Sequence, residues 1–200
     1  MTNKKKSFYI TTTIPYVNAD PHIGFALELV QADVIARYKR LTGSEVFFST
    51  GTDEHGQKIW EASQKEGKDV QDYVDHYAQK FLDLKTILNI SNDNFIRTTS
   101  GGHVKAATEF WSLCDKKGDI YKKKYTGLYC VGCEKFITEK DLVDGKCVFH
   151  PTKTPEIVEE ENYFFKLSNY KKPLLAYLEK EKSIIPKWRR EEAIDFVTNA

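Results

Sequence analysis

A chain of 200 residues can bury a real core and can carry one domain with a large insertion. Its make-up, 40% apolar, 13% aromatic and 30% charged, excludes a disordered tail and describes a folded globular chain. Thirty basic against 29 acidic residues leave a formal charge of +1, so no global field draws the protein to DNA, RNA or an anionic membrane, and any RNA contact has to be local.

No apolar run approaches the roughly 18 residues of a membrane helix. The basic start Lys4, Lys5, Lys6 runs into a Thr-rich segment and Pro15 rather than a secretory apolar core. A cytoplasmic protein is expected, in which four cysteines act as thiols or metal ligands rather than disulfides.

The first predicted element lies in Ile10 to Gly24. Its β-branched opening predicts a strand, which Asn18, Asp20 and Pro21 break just before a helix. A strand meeting a helix N-terminus offers exposed N–H groups and the positive dipole end to an anion, and His22 stands within a residue or two of that point, able to donate to a phosphate. Neither a Gly-x-Gly-x-x-Gly nor a Walker loop occurs. Taken alone, Pro21-His22-Ile23-Gly24 is an ordinary strand-to-helix turn with an exposed histidine.

Ile23, Leu27, Val30, Val34, Tyr38 and Leu41 recur at steps of three and four before Gly43, predicting a helix that packs this face on a sheet. Glu45 to Thr50 reads as a short strand. Strand, long helix and strand make a crossover unit with a parallel sheet. Gly51-Thr52-Asp53-Glu54-His55-Gly56 falls just past the second strand, where open α/β sheets bind ligands, so the two loops should share one crevice.

A short helix is expected over Gln57 to Glu66, ending at Gly67. Asp69 and Asp72 resemble a capping box ahead of a helix whose Val70, Tyr73, Val74, Tyr77, Phe81, Leu84 and Leu88 form a core stripe. Phe95 to Thr98 is a candidate strand, and a helix from about Gly102 to Lys117 is expected to bury Val104, Ala107, Trp111 and Cys114. Cys114, His76 and His103 receive no role. After Gly118 the pattern changes to short β-like pieces, with Ile157 to Leu167 a strand, a helix near Lys172 to Glu181, and a last helix from Trp188 that the chain end leaves unfinished.

Cys130-Val-Gly-Cys133 and Cys147-Val-Phe-His150 are two hooks at the spacing that wraps a chain round a tetrahedral ion, and three thiolates with one imidazole are the donor set zinc prefers. Four protein ligands leave no position for an activated water, so the ion would be structural. A redox Cys-x-x-Cys pair leaves Cys147 and His150 unexplained, and coincidence is the other alternative. Gly132 and Gly145 suit the tight turns of such hooks.

With these residues in place, the chain resembles the N-terminal part of methionyl-tRNA synthetases, class I aminoacyl-tRNA synthetases. The likeness is carried by Ile14-Pro15-Tyr16, His22-Ile23-Gly24, Gly51-Thr52-Asp53-Glu54-His55-Gly56 and the single knuckle Cys130, Cys133, Cys147, His150. Supporting phrases are Asp93 to Thr99, Gly127 to Cys130 and Asn162 to Phe165. The resemblance implies a Rossmann-like parallel-sheet nucleotide-binding domain in residues 1–117, an inserted α+β connective domain with the zinc knuckle in 118–187, and a truncated return to the catalytic domain in 188–200.

It also implies attack of the methionine carboxylate on the α-phosphate of ATP, with Mg2+, then acyl transfer to the acceptor end of tRNA(Met). Carried over by motif, Ile14 and Tyr16 line the methionine side-chain pocket, Asp53 holds the α-ammonium, and His22, with Gly24 and His55 in the ATP site, stabilises phosphate charge. The connective insertion helps to place the tRNA.

Two departures stand out. The family signature His-Ile-Gly-His has Phe25 at its second histidine, so Phe25→His in a complete enzyme is expected to leave the fold unchanged and raise kcat. The Lys-Met-Ser-Lys-Ser loop, further pocket aromatics and anticodon-binding helices fall beyond position 200 in the family, so these residues alone are expected to adenylate little and to expose sheet surface. An inactive zinc-stabilised RNA-binding module is the alternative from another class, and a synthetase for leucine or valine is a third.

Overall fold

The computed structural model describes residues 6–133 and 135–199; Lys4 and Lys5 of the basic start, and Ala200, lie outside them. The chain divides into two compact units, Met1–Thr108 and Glu109–Ala200.

The first unit holds β1 (Ser7–Thr11), α1 (Ile23–Leu41), β2 (Glu45–Thr52), α2 (Gln57–Lys65), α3 (Val70–Ile87) and β3 (Asn94–Arg97). Its three strands form an all-parallel sheet in the order β1-β2-β3, pairing Ser7 with Glu45 and Ser49 with Asn94 at their starts. Parallel neighbours cannot be joined by a tight turn, so α1 makes the first crossover and α2 with α3 the second. Where β2 runs beside β3, a Cβ on Gly51 would fall 2.9 Å from the Ile96 carbonyl carbon, so the register needs glycine there.

The stripe expected on α3 is core. Tyr73, Val74 and Phe81 are buried, with Val70, Tyr77, Leu84 and Leu88 packed against them. Asp69 caps the helix, its carboxylate accepting from the N–H of Gln71 at 2.8 Å and of Asp72 at 3.4 Å.

The face expected to be covered on α1 is the wrong one. Ile23 is 88% exposed, and Leu27, Val30, Val34, Tyr38 and Leu41 also lie outward, whereas Phe25, Leu29, Ala32, Asp33 and Ala36 meet the core. The helix is apolar on two sides, so its periodicity specifies a helix without choosing the side. Asp33 joins the buried side because its charge is answered. Oδ1 accepts from the Ser91 N–H at 2.7 Å and from the Ser91 hydroxyl, and Oδ2 from Arg37 Nε at 2.6 Å. Burial pushes the Asp33 carboxyl up, but Ser91 and Arg37 together outweigh it and hold the group below the ordinary carboxylate range.

The helix α4 (Gly101–Lys116) carries no buried residue: Val104, Ala107 and Trp111 are exposed and Cys114 is half-buried, against expectation. Its apolar side gives the helix its period but has no deep cover, although Trp111 meets Tyr163 edge to face at 5.4 Å. The second unit continues with β4 (Ile120–Cys130), β5 (Lys135–Ile137), β6 (Leu142–Val143), β7 (Lys146–Cys147), β8 (Glu156–Phe165), α5 (Lys171–Leu178) and α6 (Lys187–Asn199). β4 pairs antiparallel with β5 on one side and with β8 along nearly its whole length on the other, and β6 pairs with β7 as a two-residue ribbon. No helix of the described residues is long and apolar enough to cross a membrane.

Candidate substrate crevice and metal centre

The two loops beyond β1 and β2 are stapled together. Asp53 N–H donates to the Pro15 carbonyl at 2.9 Å and Val17 N–H to the Asp53 carbonyl at 3.3 Å, making an isolated parallel bridge between Tyr16 and Asp53. The Thr12 and Thr50 hydroxyls, 2.7 Å apart, tie the same strand ends. Val17 is fully buried below the loop, and α3 holds it from behind, with the Tyr73 hydroxyl donating to the Asn18 carbonyl at 3.1 Å and Lys80 paired with Asp20. Ile14 and Tyr16 are left part exposed, at 37% and 42%, and Asp53 half-buried, all on the loops that leave the carboxyl ends of β1 and β2.

His22 is the N-cap of α1: its Nδ1 accepts from the Gly24 N–H at 3.1 Å. An accepting Nδ1 places the proton of the neutral ring on Nε2, which turns an N–H outward beside the helix N-terminus, where an anion is favoured. Gly24 makes the cap possible, because a Cβ there would sit 3.0 Å from His22 Nδ1 and Cε1. His55 is exposed, and its Nε2–H donates to the Thr98 carbonyl at 3.3 Å.

Phe25 does not face solvent. It is 5% exposed and packs edge to face on Phe81, with ring centroids 5.4 Å apart. The helical turn that sends His22 outward sends residue 25 into the core, so Phe25→His would put an imidazole among buried apolar side chains.

Sequence reasoning assigned no role to the groups under the loop. Glu54 is 2% exposed, and its carboxylate accepts from Thr52 Oγ1 at 2.6 Å, Arg97 Nε at 2.7 Å, Arg97 Nη2 at 2.9 Å and the Thr99 hydroxyl. Its N–H donates to Thr98 Oγ1 at 2.8 Å. Burial pushes the carboxyl up, but the Arg97 guanidinium and the two hydroxyls outweigh it and hold it below its ordinary range. Strand parity carried the signal: Asp53 and His55 outward leave Glu54 inward, and a buried carboxylate demands a partner.

In the second unit Cys130, Cys133, Cys147 and His150 converge, their ligand atoms all within 4.8 Å of one another. Cys133 Sγ lies 3.4 Å from Cys147 Sγ and 3.2 Å from His150 Nδ1, which is 3.9 Å from Cys130 Sγ and 4.0 Å from Cys147 Sγ. A zinc tetrahedron with bonds of about 2.0 to 2.3 Å has edges of roughly 3.5 to 3.8 Å, so the donor set fits the ion. Burial and the neighbouring Cys147 and Cys130 sulfurs push the Cys133 thiol up to about 11; a cation at the cluster would favour its thiolate. Gly132 serves here by its lack of a side chain, since a Cβ would fall 2.8 Å from His150 Nδ1, while Gly145 takes a positive φ of 73° in the β6–β7 turn.

A parallel α/β sheet followed at the carboxyl end of its first strand by a histidine-capped helix, together with a Cys3His cluster able to hold a metal ion, puts the chain in the α/β class that carries ligand sites at strand ends. The family model described as tRNA synthetases class I (M) matches residues 8–154, and the chain belongs to that family. It is 50% identical over 191 residues to a methionine-tRNA ligase of Thermotoga maritima, covering 94% of this chain and 30% of that protein. A methionine-tRNA ligase of Rhizobium meliloti is 46% identical over 194 residues, 95% of this chain and 38% of that one. Among solved structures, Mycobacterium tuberculosis methionyl-tRNA synthetase in complex with methionyl-adenylate superposes with a TM-score of 0.89 at 42% identity, over 97% of this chain and 39% of that chain. The chain thus spans about a third of the length of the relatives it matches.

Proposed function

We propose that this chain forms the methionine- and ATP-binding front of a methionine-tRNA ligase. In that reaction the methionine carboxylate attacks the α-phosphate of ATP, a new O–P bond forms as pyrophosphate leaves, and the acyl group passes to the acceptor end of tRNA(Met). Ile14 and Tyr16 give the thioether an apolar and aromatic wall, and Asp53 pairs with the α-ammonium. His22 directs its Nε2–H at phosphate charge that grows during adenylation, Gly24 keeps that imidazole in place, and His55 flanks the ATP that arrives with Mg2+.

Cys130, Cys133, Cys147 and His150 hold a structural zinc, whose role is to fix the fold of its module. Residues 1–117 are read as the first half of the catalytic domain, 118–187 as the connective insertion that helps to place the tRNA, and 188–200 as the return to the catalytic domain, all in the cytoplasm.

The observation that carries the reading is the Tyr16–Asp53 bridge: one backbone staple sets an aromatic ring and a carboxylate side by side at a sheet's ligand edge, the pair an apolar α-amino acid requires. Methionyl-adenylate bound to the Mycobacterium tuberculosis relative supports the same ligand. Calorimetric titration of L-methionine into the chain should saturate, and Asp53→Asn should weaken it by about tenfold or more, as loss of a charged partner does. A wild-type chain without saturable methionine binding would defeat the reading and leave the zinc-stabilised RNA-binding module, which titration with an acceptor-stem RNA then tests.

A further inference from the structure

Asp53 and His55 are the two outward residues of the second loop, the His55 ring donating to the Thr98 carbonyl, and what holds the backbone between them is the buried Glu54. Glu54 binds four donors at once, two from the Arg97 fork and one each from Thr52 and Thr99. Arg97 also reaches Asp75 on α3, so a single guanidinium joins the loop, the end of β3 and the helix behind it. Two adjoining amides complete the clamp: Glu54 N–H on Thr98 Oγ1 and Asp53 N–H on the Pro15 carbonyl.

A planar fork on a carboxylate fixes both position and angle, which a point charge does not. Every one of these groups lies on the inner side of the loop, so none needs to touch a ligand to govern where Asp53 and His55 stand.

We propose that Glu54 and Arg97 form a positioning clasp for the amino-acid site: the Arg97 fork sets the loop so that Asp53 meets the substrate ammonium and His55 flanks the nucleotide. The inference rests on the proposed methionine site for its ligand, but not for its geometry. A second arginine network, without a fork on a carboxylate, lies at the other end of the sheet. Arg40 donates to Ser91 Oγ at 2.7 Å, to the Ser91 carbonyl at 3.2 Å and to Asp93 Oδ2 at 2.8 Å, far along the strands from their carboxyl ends. It supplies the control for loss of an arginine, since Arg40 meets a single carboxylate oxygen and lies away from the second loop.

The test uses the whole chain with Arg97→Lys, which keeps the charge and loses the fork, beside Arg40→Lys and the milder Thr99→Val. Two readouts are taken: L-methionine affinity, and hydrogen exchange at the Asp53 and Glu54 amides. Arg97→Lys should weaken methionine by about tenfold and speed exchange at both amides by a similar factor, one lost charge-assisted bond being worth about that much. Thr99→Val should move both in the same direction by less, and Arg40→Lys should leave both within about twofold of wild type. Unchanged affinity and exchange in Arg97→Lys, or equal effects from Arg40→Lys, would overturn the clasp. Should the wild-type chain bind no methionine, the functional reading falls by itself, and the exchange rates alone decide the clasp.

Discussion

Replacing Phe25 by histidine restores the signature expected of the family and tests which way residue 25 faces. The structure places the ring in the core of the first unit, 5% exposed and edge to face with Phe81 at 5.4 Å. An imidazole there loses the aromatic pair, about 0.5 to 1.5 kcal/mol, and buries polar nitrogens without partners, about 1 to 3 kcal/mol. The sum, about 1.5 to 4.5 kcal/mol, corresponds to a fall in Tm of roughly 6 to 36 °C for a unit of about a hundred residues.

The loss should deepen in acid. A histidine kept neutral by burial has its folded pKa depressed, so the unfolded chain takes up the proton first and stability falls as pH drops below about 6.5. Phe25→Leu keeps the apolar volume, so it should cost less than about 1.5 kcal/mol and show no such pH dependence. Thermal and urea unfolding followed by circular dichroism at pH 8 and pH 5.5 measure both. A Phe25→His chain within about 0.5 kcal/mol of wild type at both pH values would refute the core assignment and return residue 25 to the phosphate side.

The remaining tests concern the metal and the buried carboxylates. Gly132→Ala puts a methyl group against the His150 ring and should weaken zinc binding about tenfold to a hundredfold, measured by competition with a chromophoric chelator; equal affinity would show that His150 is not held there. Stripping zinc should open the segment between Cys130 and His150 to protease and alter the circular dichroism of the second unit while leaving the α3 core of the first protected. No change on chelation would mean the ion is not structural. Asp33, held below the ordinary carboxylate range, contributes stability present above about pH 4 and lost as pH falls toward its folded value. Asp33→Asn should therefore lower the urea midpoint at pH 7 more than at pH 3, and an equal drop at both would remove Asp33 from the acid limb.

The local sequence carried the parts of this protein that local physics decides. Asp69 before an apolar stripe marks the start of α3, because a carboxylate answers amides that no helix turn can reach. Two Cys/His hooks mark a cluster able to hold a metal ion, because such ligand spacing is a local feature of the chain. His22 at the start of α1 and Asp53 just past β2 stand where local sequence marks a helix start and a strand end.

What the sequence could not decide was which of two apolar faces of α1 would be covered, and whether a charge would go inside. Ile23, Leu27 and Val34 form as good a stripe as Phe25, Leu29 and Ala36, and the sheet takes the second because two alanines let the helix come close and Ser91, distant in sequence, answers Asp33. The Glu54–Arg97 pair is of the same kind: its partners lie 43 residues apart and meet only once β2 and β3 pair. Hydrophobic period and capping are short-range quantities, whereas the side a helix buries and the partner a buried charge finds depend on contacts the chain makes only after folding.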